Sequence, residues 1–256
     1  MDDVLKIPKL IAHRGASHDF PENTICAFDE ALKTSVDGIE FDVQLTHDQV
    51  PVIFHDYTVH RIGGGRHPIA NFDLSQIQAM DAGIWFGNAF HGKKIPTFDD
   101  VLSRYAGKTE LFIEIKDHEK FSEHRRRATL IQKVIEGVHK FSLEHHSFIL
   151  CFSLDVLKIV HNIAPNLRCI LNLSRLPRLT FQVKNDYSFL SGVCVRMTTL
   201  KPSFVELFHQ NNQKVFTYTC NTPQIVEQAI QCNVDGIISD KPSWLVHYIQ
   251  KLKGSH

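Results

Sequence analysis

Short apolar runs rich in Ile, Val and Phe recur along the chain, separated by longer amphipathic stretches. That alternation predicts strands and helices taking turns around a parallel sheet. The runs predict strands at Leu10–His13, Gly38–Leu45, Glu110–Lys116, Ser147–Ser153, Leu167–Asn172, Gly192–Arg196, Lys214–Thr219 and Asp235–Ser239. Helices are expected over Asn23–Thr34, Phe98–Tyr105, Glu123–Leu143, Leu154–Ile163, Arg175–Lys184, Pro202–Gln210, Pro223–Gln231 and Pro242–Leu252, the last three opening on a proline that needs no N–H there. Eight such repeats fit a closed TIM (β/α)8 barrel. The competing fold is a doubly wound open sheet, but no Gly-x-Gly-x-x-Gly turn follows an early strand.

One segment breaks the rhythm. From Asp56 to Pro96 no strand-like run ends, and the stretch holds a Gly63-Gly64-Gly65 turn and the aromatics Trp85, Phe86 and Phe90. It is too long for an ordinary connection and is expected to be an insertion at the barrel mouth after the second strand. The chain is therefore read as a single domain over residues 1–256 with an inserted segment of about 56–96. Trp85 and Phe86 form either a lid over a substrate or the small core of the insertion itself. Just before it, Val50–His55 follows the polar His47-Asp48-Gln49 and predicts a short hairpin with the second strand.

Composition narrows the function classes. A chain of 256 residues that is 43% hydrophobic can bury a large core, and 28 basic against 28 acidic residues leave no cationic surface for a nucleic acid. Cys26, Cys151, Cys169, Cys194, Cys220 and Cys232 lie far apart, without the spacing of a zinc or redox site. No run reaches the roughly 18 to 20 apolar residues that cross a bilayer, and the first residues lack a basic region followed by an apolar one. A cytoplasmic protein without stable membrane insertion is expected. The Arg125-Arg126-Arg127 run reads as a solvated helix face.

In a parallel barrel, reacting groups collect at the carboxyl ends of the strands. Four neighbouring runs end in ionisable residues: His13-Arg14, Glu40-x-Asp42, His55-Asp56 and Glu114-x-Lys116. Residues two apart on a strand share a face, about 6.6 Å apart along it, so Glu40 and Asp42 point the same way. Ile39, Phe41 and Val43 claim the helix-facing side, which sends both carboxylates into the barrel, where they need a cation. Glu40, Asp42 and Glu114 then describe an oxygen site for one hard divalent cation, Ca²⁺ or Mg²⁺; the alternative is a metal-free network with Arg14 and Lys116. His13 and His55 beside it supply a base and an acid, and Arg14 and Lys116 can neutralise nonbridging phosphoryl oxygens. Phosphodiester chemistry follows.

These residues, with Pro21-Glu22-Asn23-Thr24, Ile95-Pro96-Thr97-Phe98 and Asp235-Gly236-Ile237-Ile238-Ser239-Asp240-Lys241-Pro242, resemble the glycerophosphodiester phosphodiesterase family over essentially the whole chain. The resemblance implies catalytic histidines His13 and His55, metal ligands Glu40, Asp42 and Glu114, and substrate contacts from Arg14 and Lys116. It also implies hydrolysis of small glycerophosphodiesters, such as glycerophosphocholine, to glycerol 3-phosphate and an alcohol. Family members often carry Trp-Thr-x-Asn on the seventh strand; here the run is Tyr218-Thr219-Cys220-Asn221, and Tyr218 is expected to wall the glycerol pocket with a more polar face. In Pro21–Thr24, either Asn23 or Thr24 caps the next helix while the turn holds His13 and Glu40, and Glu22 is either a support of the site or a first-turn charge. Alternatives are a lysophospholipase D or phosphoinositide phospholipase C-like enzyme, and a non-catalytic glycerophosphodiester-binding protein.

Overall fold

The computed structural model describes residues 7–117, 124–177 and 186–254. Eight parallel strands close into a barrel: β1 (Lys9–His13), β2 (Gly38–Leu45), β4 (Glu110–Ile115), β5 (Ser147–Cys151), β6 (Arg168–Leu173), β7 (Gly192–Arg196), β8 (Lys214–Tyr218) and β9 (Gly236–Ser239). Closure comes from β1, which pairs with β2 on one side and β9 on the other. The ninth strand, β3 (Pro51–Ile53), runs antiparallel to β2 with Val43 opposite Ile53, as the hairpin pattern requires. The fold is the TIM barrel expected from the eightfold alternation.

The two faces of β2 follow the period of two. Ile39, Phe41 and Val43 are fully buried against the surrounding helices, with Phe41 edge-on to Phe28. Inside the barrel, Phe112, Phe148 and Phe216 form an aromatic plug, the first two stacked at 4.9 Å between centroids. Gly38 makes room for it, because a Cβ there would lie 2.7 Å from the Phe112 ring.

Helix boundaries shift where a side chain has other work. The helix expected from Asn23 begins at Ile25 and ends at Ala31: Thr24 caps it by accepting from Ala27 N–H, while Asn23 sits at φ 58° and turns its side chain elsewhere. The fourth chain helix spans His124–Lys140. Most of the helix expected over 175–184 falls on residues 178–185, outside the described residues, and 175–177 are not helical. The arginine run is not the solvated face expected of it. Arg126 donates to Leu45 O and Thr46 O, and Arg127 Nε donates to Asp117 Oδ1 at 2.9 Å, so two of the three stitch this helix to the strand ends.

Between β3 and the helix Phe98–Tyr105 the chain forms short helical turns at Val59–Ile62, Ile69–Asn71 and Asn88–Phe90 and one helix at Leu74–Ala79. Val52, Val59, Ile62, Ile69, Ile77 and Ile95 give it a core of its own. Trp85 belongs to this segment, edge-on to Phe86 with Nε1 donating to Ala82 O. No helix among the described residues is long and apolar enough to cross a membrane.

Candidate active site

The strand ends open onto a cavity of about 280 Å³. His13, Arg14, Glu40, His55, Glu114, Lys116 and Tyr218 line it, and Asp42 lies behind them with its side chain 1% exposed. The residues singled out along the chain are thus gathered at one mouth. A larger groove of about 830 Å³ runs outside the barrel beside Lys93, Lys94 and Arg104 and holds none of them.

Glu40, Asp42 and Glu114 offer ligand oxygens within 4.8 Å of one another. Register explains this, since Asp42 pairs with Glu114 across β2 and β4 while Glu40 lies one pleat down the same face. Burial pushes the Glu40 carboxyl well above its usual range, and Asp42 and Glu114 add to the shift. Glu114 is raised first by burial and then by Asp42, against the pull of Lys116. Burial works on Asp42 too, but Lys116, Arg14, His55 and the Asn23 hydrogen bond outweigh it and hold this carboxyl well below the ordinary range. Three carboxylates in so small a space need more positive charge than Lys116 Nζ, 2.7 Å from Glu114 and 3.3 Å from Asp42, and Arg14 Nε, 3.2 Å from Asp42, provide. Asp42 Oδ1 is buried and accepts no hydrogen bond. An all-oxygen donor set with such an atom fits a hard metal ion, so the triad can hold one.

Each histidine is oriented by its own carboxylate. His13 Nδ1 lies 2.5 Å from Asp240 Oδ1, and His55 Nδ1 lies 2.9 Å from Asp56 Oδ1. Burial raises Asp240, but His13, Asn221 and Ser17 more than compensate and bring it down to about 2. Asp56 is likewise raised by burial yet lowered overall, by His55 and Arg61. Both are ionised acceptors, so each imidazole carries a proton on Nδ1 and turns Nε2 away from its carboxylate. His13 Nε2 stands 3.9 Å from Glu40 Oε2.

The turn after β1 reaches further into the site than expected. Arg14 and Asn23 both adopt left-handed backbone, and Asn23 N–H donates to Arg14 O at 3.1 Å. Gly15 is required here, because a Cβ would lie 2.6 Å from the Ala27 carbonyl carbon. Asn23 Nδ2 donates to Asp42 Oδ2 at 2.8 Å, Glu22 accepts from Arg14 Nη1 at 2.9 Å, Arg14 N–H donates to Glu40 Oε2 at 3.2 Å and Ser17 Oγ donates to His13 O at 2.7 Å, so the turn holds Arg14 and Asp42 as well as Glu40 and His13. Glu22 is a support of the site and not a first-turn charge.

Sequence reasoning missed Asp240 and Asn172. Asn172, on the neighbouring wall, donates to Glu114 Oε2 at 3.0 Å and gave no sequence signal beyond its place at a strand end. Asp240 gave only the signal of an ionisable residue directly after a predicted strand, and the register supplies its partner. Ala12 pairs with Ser239 where β9 closes on β1, which sets Asp240 one residue on, opposite His13.

Residues 13–243 match the model of the glycerophosphoryl diester phosphodiesterase family. A glycerophosphodiester phosphodiesterase of Caldanaerobacter subterraneus is 34% identical over 249 residues, covering 94% of this chain and 98% of that protein. The Bacillus subtilis protein YhdW is 34% identical over 241 residues, 93% of this chain and 96% of its own. Among solved structures, an Oleispira antarctica phosphodiesterase in complex with the product sn-glycerol-3-phosphate superposes with a TM-score of 0.83 at 25% identity, covering 95% of this chain and 97% of that one.

Proposed function

The chain belongs to the glycerophosphoryl diester phosphodiesterase family, and from that premise we propose that this phosphoric diester hydrolase cleaves small glycerophosphodiesters, such as glycerophosphocholine or glycerophosphoethanolamine, to glycerol 3-phosphate and an alcohol. The residues read as catalytic are His13 and His55, with one divalent cation, Ca²⁺ or Mg²⁺, on Glu40, Asp42 and Glu114. What carries the reading is that two carboxylate-oriented imidazoles face the same 280 Å³ cavity as the acidic triad and the Arg14 and Lys116 cations. The glycerol 3-phosphate bound to the Oleispira antarctica relative supports the product. The single barrel domain with residues 56–96 inserted, and a cytoplasmic setting for its free thiols, belong to the same proposal.

When bound, the ion supplies positive charge against the developing phosphoryl and attacking oxygens. Arg14 and Lys116 hold the nonbridging oxygens, and Tyr218 walls the glycerol. One histidine, neutral, takes the proton of the substrate's vicinal hydroxyl on Nε2 as its oxygen attacks phosphorus, and the other, entering with a second proton on Nε2, gives that proton to the departing alcohol. Water then opens the cyclic phosphate with the two roles exchanged. An analogue lacking the vicinal hydroxyl that turns over at the normal rate overturns the cyclic route in favour of direct attack by water.

A lipid-cleaving enzyme would need an apolar rim at the mouth. Among the described lining residues Phe152, half exposed against Tyr218, is the one large exposed hydrophobe, which favours small water-soluble diesters. The test is release of glycerol 3-phosphate from glycerophosphocholine with Ca²⁺ or Mg²⁺ and with a chelator. Metal-dependent release is expected; tight substrate binding without turnover would make this a binding protein instead.

A further inference from the structure

Arg61 stands outside the cavity wall, on the Val59–Ile62 turn of the segment that follows β3. Its Nε donates to Asp56 Oδ2 at 2.8 Å and its Nη2 donates to Glu22 Oε1 at 2.8 Å. The other oxygen of Asp56 holds His55, and the same oxygen of Glu22 holds Arg14. The outer face of the guanidinium is covered by the Trp85 ring, 4.3 Å away. Glu22, His55 and Asp56 have ligand atoms within 4.8 Å of one another, and this guanidinium already engages two of the three. A planar fork can bridge two carboxylates in fixed directions, which an ammonium cannot.

We propose that Arg61 is a positioning residue for the reaction, one guanidinium that locks the His55–Asp56 pair and the Glu22–Arg14 pair into a single unit braced by Trp85. The proposal rests on the reading of His55 as acid–base group and Arg14 as phosphoryl ligand. Without Arg61, Asp56 is free to rotate on His55, and Glu22 pulls Arg14 alone, against Asp42 and the substrate. The segment after β3 thereby aims the chemistry from behind rather than covering it.

The test compares wild type, Arg61→Ala and Arg61→Lys in kcat, KM and His55 tautomer by ¹⁵N NMR. Arg61→Ala is expected to lose about 100-fold in kcat, the scale of a misplaced catalytic group, with KM rising less. Millimolar guanidinium should restore a good part of that loss, and Arg61→Lys should fall between. In the wild type His55 should be held as the Nδ1–H form, and in Arg61→Ala it should be mixed. Full kcat in Arg61→Ala, or a loss that guanidinium does not relieve in a protein of wild-type melting temperature, overturns the proposal. If Arg61→Ala does not fold, wild-type kcat in Arg61→Lys overturns it. An inactive wild type would strike the functional reading instead; the His55 tautomer then decides, and an unchanged tautomer overturns the role of Arg61.

Discussion

Replacing Asp240 by asparagine exchanges one carboxylate oxygen for an NH₂ group and should reverse the tautomer of His13. Asn221 fixes the direction of the effect. Its oxygen accepts from Asp240 N–H at 3.0 Å and from Ser239 Oγ at 2.8 Å, so its Nδ2 must donate to the side chain at 240, at 2.5 Å. The new amide must turn its oxygen to Asn221 and its NH₂ to His13. His13 Nδ1 then has to accept, and the proton moves to Nε2, the nitrogen that should face substrate. A hydrogen bond to a charged group is worth about 1.5–3 kcal/mol. With His13 20% and Asp240 31% exposed, solvent screening favours the lower half, about 1.5–2 kcal/mol, which is about 10- to 30-fold in kcat. KM should hardly change, because Asp240 is not on the cavity wall. Glycerol 3-phosphate release under saturating substrate and ion measures the rate, and ¹⁵N NMR the tautomer. A kcat within twofold of wild type, with His13 still protonated on Nδ1, refutes the reasoning.

The same aspartate has a signature in acid. Its carboxyl falls to about 2 in the fold, so its stabilisation is full above the unfolded value near 3.9 and is lost as the pH drops through 2. The urea stability of wild type should therefore exceed that of Asp240→Asn by about 1–2 kcal/mol at pH 6 and converge with it only below about pH 2; a gap that persists there contradicts the pairing. Glu40 is penalised by burial and by its acidic neighbours, so Glu40→Gln should raise the melting temperature of the chelated protein by a few degrees, while weakening divalent binding more than about tenfold by calorimetry. In the wild type, Ca²⁺ or Mg²⁺ at about 100 times Kd should add about 2.7 kcal/mol, read as a rise of about 5–10 °C that a chelator reverses; no shift with either ion speaks against the triad as its site. Phe112→Ala removes a fully buried ring stacked on Phe148 and should cost about 3–5 kcal/mol in urea unfolding; a loss under 1 kcal/mol would mean the plug does not hold the barrel together.

Much of this molecule is legible in the order of its residues. The apolar runs located the eight barrel strands to within a residue or two, and the alternation of Gly38–Leu45 sent Glu40 and Asp42 inward and Phe41 outward. Both inferences depend on neighbours along one strand, where a period of two is dictated by backbone geometry. The arginine run shows the limit. Nothing local distinguishes a solvated guanidinium from one that reaches the Leu45 carbonyl, 81 positions away in sequence.

Periodicity within each strand therefore settled the barrel class, the inward carboxylates and the two histidines at their strand ends. Tertiary structure alone decided what holds them. Asp240 meets His13 across 227 positions because β9 closes on β1 in one register, and Arg61 reaches Glu22 across 39 because the segment after β3 folds back on the turn after β1. Such partners are chosen by closure and packing, which act between distant parts of the chain and leave no period in it.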